Sequence, residues 1–575
     1  MQLRKIVVTI VAVYFSVICA PLAQAETAVK ANLEPQQTLV LAGGHLPLCD
    51  SSNPAACKSK RWQGAAGYQA PQYRLDGQDL LQILTVLPES QVNTQALLKF
   101  LQALKKRAAN QTLSRDQLMQ KIELTAKSMG EQATWNRLLD DEQESVLSAF
   151  EMPQLGPDGA RIKERVDLPA SDPKIAEIYR RFVREAAQAS GKQRPLVLVV
   201  TASSRDVFAS VDYYLAAFEQ AGASAQWLPL DPAMLAAKDT QDLISARTKV
   251  LGMLGRERVY PDLHALQLTA TANKTMMLDA IKAADGVFLN GGDQSLMVRA
   301  WFEPSGSANP YWLTLKSKLA AGKLVLGGTS AGTAVQSGRG RYAAMFTGGA
   351  SWAGLSLGAQ QAAPEAFGCT RARRCAAGAE DALTFSAEGG LGSFPFAVLD
   401  THFSERGRQW RMAALLRDPQ RPRFGLGVDE ATAVVATWPV GSTAVESVRL
   451  ESIGTGQGWW FERQPTGDLN LRALSPGEAW QVSLATASAC QESSTESGTE
   501  SGTESGTESG KRPARLQSKP IRIDNAELAQ LLRSDSKMLR LSSADARAKG
   551  EVLLCRQGDF WRWQWPDKGL FHFKQ

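Results

Sequence analysis

The chain has 575 residues, 44% hydrophobic and 21% charged, a globular composition long enough for two or more domains around a large core. Its net charge of +6 is mild for that length and gives no basis for a nucleic-acid-binding role.

The first residues read as a targeting segment. Arg4 and Lys5 form a basic start, Ile6 to Leu22 an apolar run and Ala23-Gln24-Ala25 an A-x-A cleavage site, so residues 1–25 are expected to be a signal peptide. An uncleaved membrane anchor is the rival reading. No later segment is apolar enough to span a bilayer, so the mature protein is expected in the periplasm or outside the cell. Cys19 leaves with the leader, and six cysteines remain, an even number that suits an oxidising compartment. Short loops favour Cys49–Cys57 and Cys369–Cys375, which leaves Cys490–Cys555; none of these spacings resembles a zinc or redox motif.

Gln37 to Ala42 reads as a strand running into Gly43-Gly44 and His45, the first strand of a parallel sheet. Residues from about 60 to 165 read as an inserted helical lobe, with Leu113, Leu118 and Ile122 as apolar positions of amphipathic helices between Asp79 and Phe150. Ser171-Asp172-Pro173 is a helix start, with Ser171 as cap, and Ile175, Ile178, Tyr179, Phe182 and Ala186 then share one face. Leu196 to Val200 is a continuous apolar run, expected of a strand buried on both faces. Gly286 to Asn290 is a further strand, ending in Gly291-Gly292-Asp293-Gln294. Lys323 to Gly327 leads into Gly328-Thr329-Ser330-Ala331-Gly332, and Phe396 to Leu399 into Asp400-Thr401-His402.

Strands alternating with helices predict an α/β fold with a doubly wound, mostly parallel sheet over residues 26–480. Ligands bind such sheets at the carboxyl ends of the strands, where Gln294, Ser330 and His402 all fall. Glu492 to Gly510 repeats Thr-Glu-Ser-Gly, so residues 491–514 read as a flexible acidic linker. Residues 515–575 form a small C-terminal segment with strand character. Its Trp561, Trp563 and Trp565 alternate onto one strand face, for packing against Trp459 and Trp460 or for stacking on a polymer.

Gly328-x-Ser330-x-Gly332 between a strand and a helix has the form of a nucleophile elbow, although a Gly-rich turn alone gives the same pattern. A serine nucleophile needs a base and an orienting acid. Of the four histidines, His45, His264, His402 and His572, only His402 lies beyond a core strand in the same half as Ser330. Glu430, Asp429 and Asp400 are the candidate acids. An acid at 429–430 gives the order Ser…His…acid, which is not that of an α/β-hydrolase. The backbone N–H groups of Gly292 and Ala331 are candidate oxyanion donors.

Four stretches together resemble the serine peptidase family of cyanophycinase and aspartyl dipeptidase, its cyanophycinases in particular. They are Gly291-Gly292-Asp293-Gln294, Gly328 to Gly332, Asp400-Thr-His-Phe-Ser-Glu-Arg-Gly-Arg408 and Gly427-Val-Asp-Glu-Ala-Thr432, within residues 195–435. The resemblance implies a flavodoxin-like sheet and a Ser-His-acid peptidase without metal or cofactor. Its substrate would be cyanophycin, a poly-aspartate with arginine on each side chain, and its product β-aspartyl-arginine. By motif, Ser330 is the nucleophile, His402 the base and Glu430 the acid, with Gln294, Asp400, Arg406, Arg408 and Arg411 as substrate-binding positions. The partner implied is this or a related aspartyl-arginine polymer; a homodimer is an open assembly state. Thr401 departs from the glutamine expected in many members. An aspartyl dipeptidase acting on small peptides, or a non-catalytic polymer-binding homologue, are the alternatives.

Overall fold

The computed structural model describes residues 35–58, 70–76, 80–85, 87, 92–130, 132–138, 140–349, 359–361, 383–441, 445–484, 521–523, 538–543, 551–557 and 560–564. The expected leader, the Cys369–Cys375 loop, the linker with Cys490, and Trp565 lie outside them.

The strands that position the site are β1 (Gln36–Ala42), β2 (Leu196–Val200), β3 (Ser224–Trp227), β4 (Gly286–Leu289), β5 (Val325–Thr329), β6 (Ala397–Thr401), β7 (Phe424–Val428), β8 (Thr432–Pro439), β9 (Ser447–Gly454), β10 (Gly458–Arg463), β11 (Leu469–Leu474) and β12 (Ala479–Ser483). An eight-stranded sheet runs β12-β9-β8-β1-β5-β4-β2-β3. Its strands from β1 to β3 are mutually parallel, and β8, β9 and β12 add antiparallel strands on the other side of β1. Counted from β2, the parallel part has the order 2-1-3-4, and the N-terminal β1 takes the fifth place of a flavodoxin-like sheet. The expected fold class is therefore the one observed.

Burial explains why these segments are strands. Every residue of β4 and β5 is buried, as are four of the five in β2, the pattern of a parallel sheet covered on both faces. One cover is helix α1 (Pro173–Ser190). The Asp172 side chain, not that of Ser171, accepts from Lys174 N at its start, and Gly191 ends it in a left-handed turn. Ser171 is used elsewhere: its hydroxyl bonds Asp167 O and receives Cys49 N. Ile178, Tyr179 and Phe182 of α1 are at most 1% exposed, each burial contributing roughly 1.5–3 kcal/mol of transfer free energy. Phe182 meets Phe288 of β4 edge to face, 5.6 Å between centroids.

The strand bearing His402 differs from expectation. β6 is not a member of the parallel sheet; it begins a second sheet, pairing parallel with β7, which continues antiparallel through β10 and β11. Strands Phe560–Gln564, Glu551–Gln557, Met538–Ser543 and Ile521–Ile523 extend that sheet, with Trp561 opposite Leu471 and Trp563 opposite Leu469. The chain returns to the first sheet through Asp429-Glu430-Ala431, between β7 and β8. Phe403, just past β6, packs on the second sheet against Phe461 (5.8 Å) and Trp459 (6.3 Å) of β10.

Helices Thr94–Arg107, Arg115–Met129 and Asp140–Phe150 share their own apolar cluster, including Phe100, Leu104, Leu118, Ile122 and Trp135. Leu113 is buried too, but in a short strand paired with Gln72–Tyr73 rather than in a helix. Arg256, 1% exposed, ties this group to the sheet: it reaches Glu151 Oε2 (2.7 Å), Ser148 O (2.6 Å) and Asp206 Oδ2 (2.6 Å) in the turn after β2. The Cys49–Cys57 disulfide is formed. Among the described residues no helix is long and apolar enough to cross a membrane.

Candidate active site

β5 delivers its last residue to a turn too tight for ordinary backbone. Ser330 sits at φ 52°, ψ −118°, and the short helix α2 (Ala331–Ala334) starts directly after it. Such a conformation costs a non-glycine residue roughly 1–3 kcal/mol and persists where the surroundings over-determine it. Here Ser330 N is held by Ala42 O at 3.1 Å, and Thr333 Oγ1 lies 2.7 Å from the same carbonyl. Gly332 must lack a side chain, because a Cβ there would overlap the Leu289 carbonyl at the end of β4. These constraints fix the backbone of the tight strand-to-helix turn that the elbow pattern requires.

Ser330 Oγ is 2.7 Å from His402 Nε2, and His402 Nδ1 is 2.5 Å from Glu430 Oε1. With Nδ1–H donated to the carboxylate, Nε2 is left as an acceptor for the serine hydroxyl. His402 too has a positive φ, 48°, and is only 9% exposed. Burial lowers its pKa below the ordinary histidine value, and the Arg406 and Arg408 charges add to this, while Glu430 pulls the other way.

The three candidate acids have separate fates. Glu430 faces His402. Asp429 is engaged elsewhere: Oδ1 accepts from Ser404 N (3.0 Å), Ser404 Oγ (2.7 Å) and Trp459 Nε1 (3.0 Å), and Oδ2 from Gln457 N (3.0 Å). Burial raises its pKa in spite of those donors. Asp400, 1% exposed, closes an internal ion pair: Arg411 reaches it through Nε (2.6 Å) and Nη2 (2.5 Å), and Arg408 through Nη1 (3.0 Å).

Asp400, expected as a substrate-binding position, has its carboxylate paired internally, and the reason is electrostatic. A buried carboxylate requires partners, and the two arginines on the following turn and helix Gln409–Leu416 supply them. Arg411 also lies over the Phe346 ring at 4.7 Å, and Gln294 Nε2 donates to Phe346 O at 2.7 Å, so Gln294, Phe346, Arg411 and Asp400 are linked in series. Burial draws the Arg408 guanidinium down to about 10. Arg406 alone of the three arginines is exposed.

Gly291 comes close to the nucleophile: a Cβ built on it would stand 3.2 Å from Ser330 Cβ and 3.8 Å from Oγ. Gly292 follows at φ 141°, held by Asp293 N donating to Ser203 O at 2.7 Å. In the sequence Gly43-Gly44 read only as the end of a strand, and Ser404 only as part of the Asp400–Arg408 stretch, with no role for either. The doubled glycine closing β1 repeats the Gly291-Gly292 pattern after β4, a signal that was legible; Ser404 carried none.

No family model matches the chain. It is 27% identical over 219 residues to proteins named "Cyanophycinase" from Trichormus variabilis and from a Nostoc species, a match covering 38% of this chain. The chain spans 60% of the length of these curated relatives. Among solved structures, a peptidase from an acI-B1 actinobacterium aligns with TM-score 0.32 and 15% identity, over 54% of this chain and 92% of that one. Both matched relatives thus carry the name cyanophycinase.

Proposed function

We propose that this chain is an exported serine peptidase that hydrolyses cyanophycin, or a closely related β-linked aspartyl-arginine polymer, to β-aspartyl-arginine. The observation that carries the reading is the unbroken contact series from Ser330 Oγ through His402 to Glu430. The similarity to the two cyanophycinases supports the substrate class. Export is supported by the leader-like residues 1–25 and by the Cys49–Cys57 bridge.

In this reading Ser330 Oγ attacks the scissile carbonyl carbon while its proton passes to His402 Nε2. Glu430 holds the imidazole in the required tautomer and stabilises the imidazolium. The N–H groups of Ala331 and Gly292 receive the oxyanion, each such donor contributing about 3 kcal/mol. Collapse of the tetrahedral intermediate breaks the C–N bond, and Nε2–H gives its proton to the leaving amine. Water then repeats the sequence on the acyl-serine, freeing Ser330. Arg406 is the exposed guanidinium suited to a substrate carboxylate, while Asp400 acts by fixing Arg408 and Arg411.

The purified protein is expected to release soluble β-aspartyl-arginine from insoluble cyanophycin, and faster than it cleaves small aspartyl dipeptides. No release from the polymer, with dipeptides cleaved, would replace the substrate claim by a dipeptidase.

The base must be neutral to act, so a depressed His402 pKa keeps the enzyme active below the ordinary histidine range. Removing a cation that depresses it must move the acidic limb up. Arg406→Gln is therefore expected to shift the acidic limb of kcat/KM to higher pH. Because Arg406 is exposed, the difference from the parent should shrink at about 1 M salt. A limb unmoved at low salt would show that the Arg406 charge does not reach His402.

A further inference from the structure

The two glycines after β1 do more than end a strand. Three consecutive carbonyls there each hold a backbone amide of the contact series. Ala42 O receives Ser330 N at 3.1 Å, Gly43 O receives His402 N at 2.8 Å and Gly44 O receives Ala431 N, next to Glu430, at 2.9 Å. Gly43 N in turn donates to Thr432 O at 2.9 Å. One short turn thus gathers segments from both sheets that are far apart in sequence.

Gly44 has a second relation to the site. Its φ is 112°, and a Cβ built on it would lie 2.5 Å from His402 Nε2 and 2.9 Å from Nδ1, inside the van der Waals envelope of the ring. The absent side chain therefore faces the Nδ1–Cε1–Nε2 edge. Both nitrogens on that edge are already engaged, by Ser330 and by Glu430. Any Cβ at position 44 displaces the imidazole from one partner or both.

We propose that Gly44 is a positioning residue: its bare Cα is the seat that sets the His402 ring in register with Ser330 and Glu430. The proposal rests on the reading of those three residues as the catalytic relay, and it adds a residue that acts through the His402 ring.

The test uses the full chain and a fluorophosphonate, which labels an activated serine without any assumption about substrate. Gly44→Ala is expected to slow labelling of Ser330 by about 100-fold or more, the usual cost of misplacing a catalytic group by an ångström. It should also abolish the far-downfield proton resonance of the His402–Glu430 hydrogen bond. Gly340→Ala is the control for backbone strain alone, since Gly340 has φ 103°, close to that of Gly44, and open space where a Cβ would stand. Thermal unfolding supplies an independent arm: the Tm loss from Gly44→Ala should be much smaller in a His402→Ala background, where the ring it strikes is gone.

Unchanged labelling with an unchanged resonance, or equal Tm losses in the two backgrounds, would overturn the proposal. If Gly44→Ala fails to fold, recovery of folding in Gly44→Ala/His402→Ala supports it, and continued misfolding overturns it. A parent protein that takes no label would instead remove Ser330 as nucleophile, and the Tm comparison would still decide whether Gly44 seats the ring.

Discussion

Ser330→Ala is expected to lower kcat on the polymer by about 10⁶-fold, the scale seen when the nucleophile of a serine peptidase is removed. The loss should fall on kcat rather than on KM, since the hydroxyl engages the reacting carbonyl and not the bound ground state. The fold should survive. Alanine keeps the Cβ, the backbone bond from residue 330 to Ala42 O remains, and the hydroxyl's bond in the structure is to His402. Product release by chromatography and thermal unfolding of the same sample check both halves. A variant that keeps more than about a hundredth of the rate would exclude covalent catalysis through Ser330, because an intact oxyanion hole and binding alone leave only about 10³–10⁴-fold over water.

Asp400→Ala is expected to destabilise the protein by about 3–5 kcal/mol, the cost of breaking a buried ion pair from one side. Arg411 is 6% exposed and would keep its charge with neither of its two carboxylate bonds. Arg408 would retain only Thr401 O, 2.5 Å from its Nη1. A urea titration should show the midpoint falling with little change in slope. The pH dependence has a definite sign. Burial raises the Asp400 pKa, but Arg411 and then Arg408 outweigh it and hold the carboxyl below its ordinary value. A depressed carboxylate contributes stability above its unfolded pKa and loses it as pH falls through the folded value. The gap between parent and Asp400→Ala should therefore be full at neutral pH and close in strong acid. A loss below about 1 kcal/mol would mean that the arginines find other partners or water.

Much of the site was legible because its chemistry is written locally. A serine between glycines after a buried strand, and a histidine after another, can be read without knowing which strands pair. What pairs with what cannot. Ala397 to Thr401 has the same apolar look as the parallel strands, and nothing within it says that its neighbour is Phe424–Val428 rather than a member of the first sheet. The choice between Asp429 and Glu430 was open for a related reason. The two carboxylates are adjacent, and which one meets His402 is decided by the turn through Ala431 (φ 51°) that follows β7, a conformation the residue types do not announce. Asp400 with Arg408 and Arg411 shows the other limit. Their spacing suggested that they act together, but whether arginines meet a substrate or a buried carboxylate depends on how deep β6 lies. The doubled glycine at 43–44 is visible as a pattern, but that Gly44 acts through a missing atom against the His402 ring depends on a contact between distant segments.

Ser330 follows a strand of the first sheet and His402 a strand of the second, so the 2.7 Å between Oγ and Nε2 is also a measure of how the two sheets sit on each other. The strands from Ile521 to Gln564 join only the second sheet, the half that carries the histidine. His402 is nevertheless held from the first sheet too, since its amide meets Gly43 O after β1 at 2.8 Å, so the end of β1 fixes the base and the nucleophile in one frame whatever is added at that distal edge.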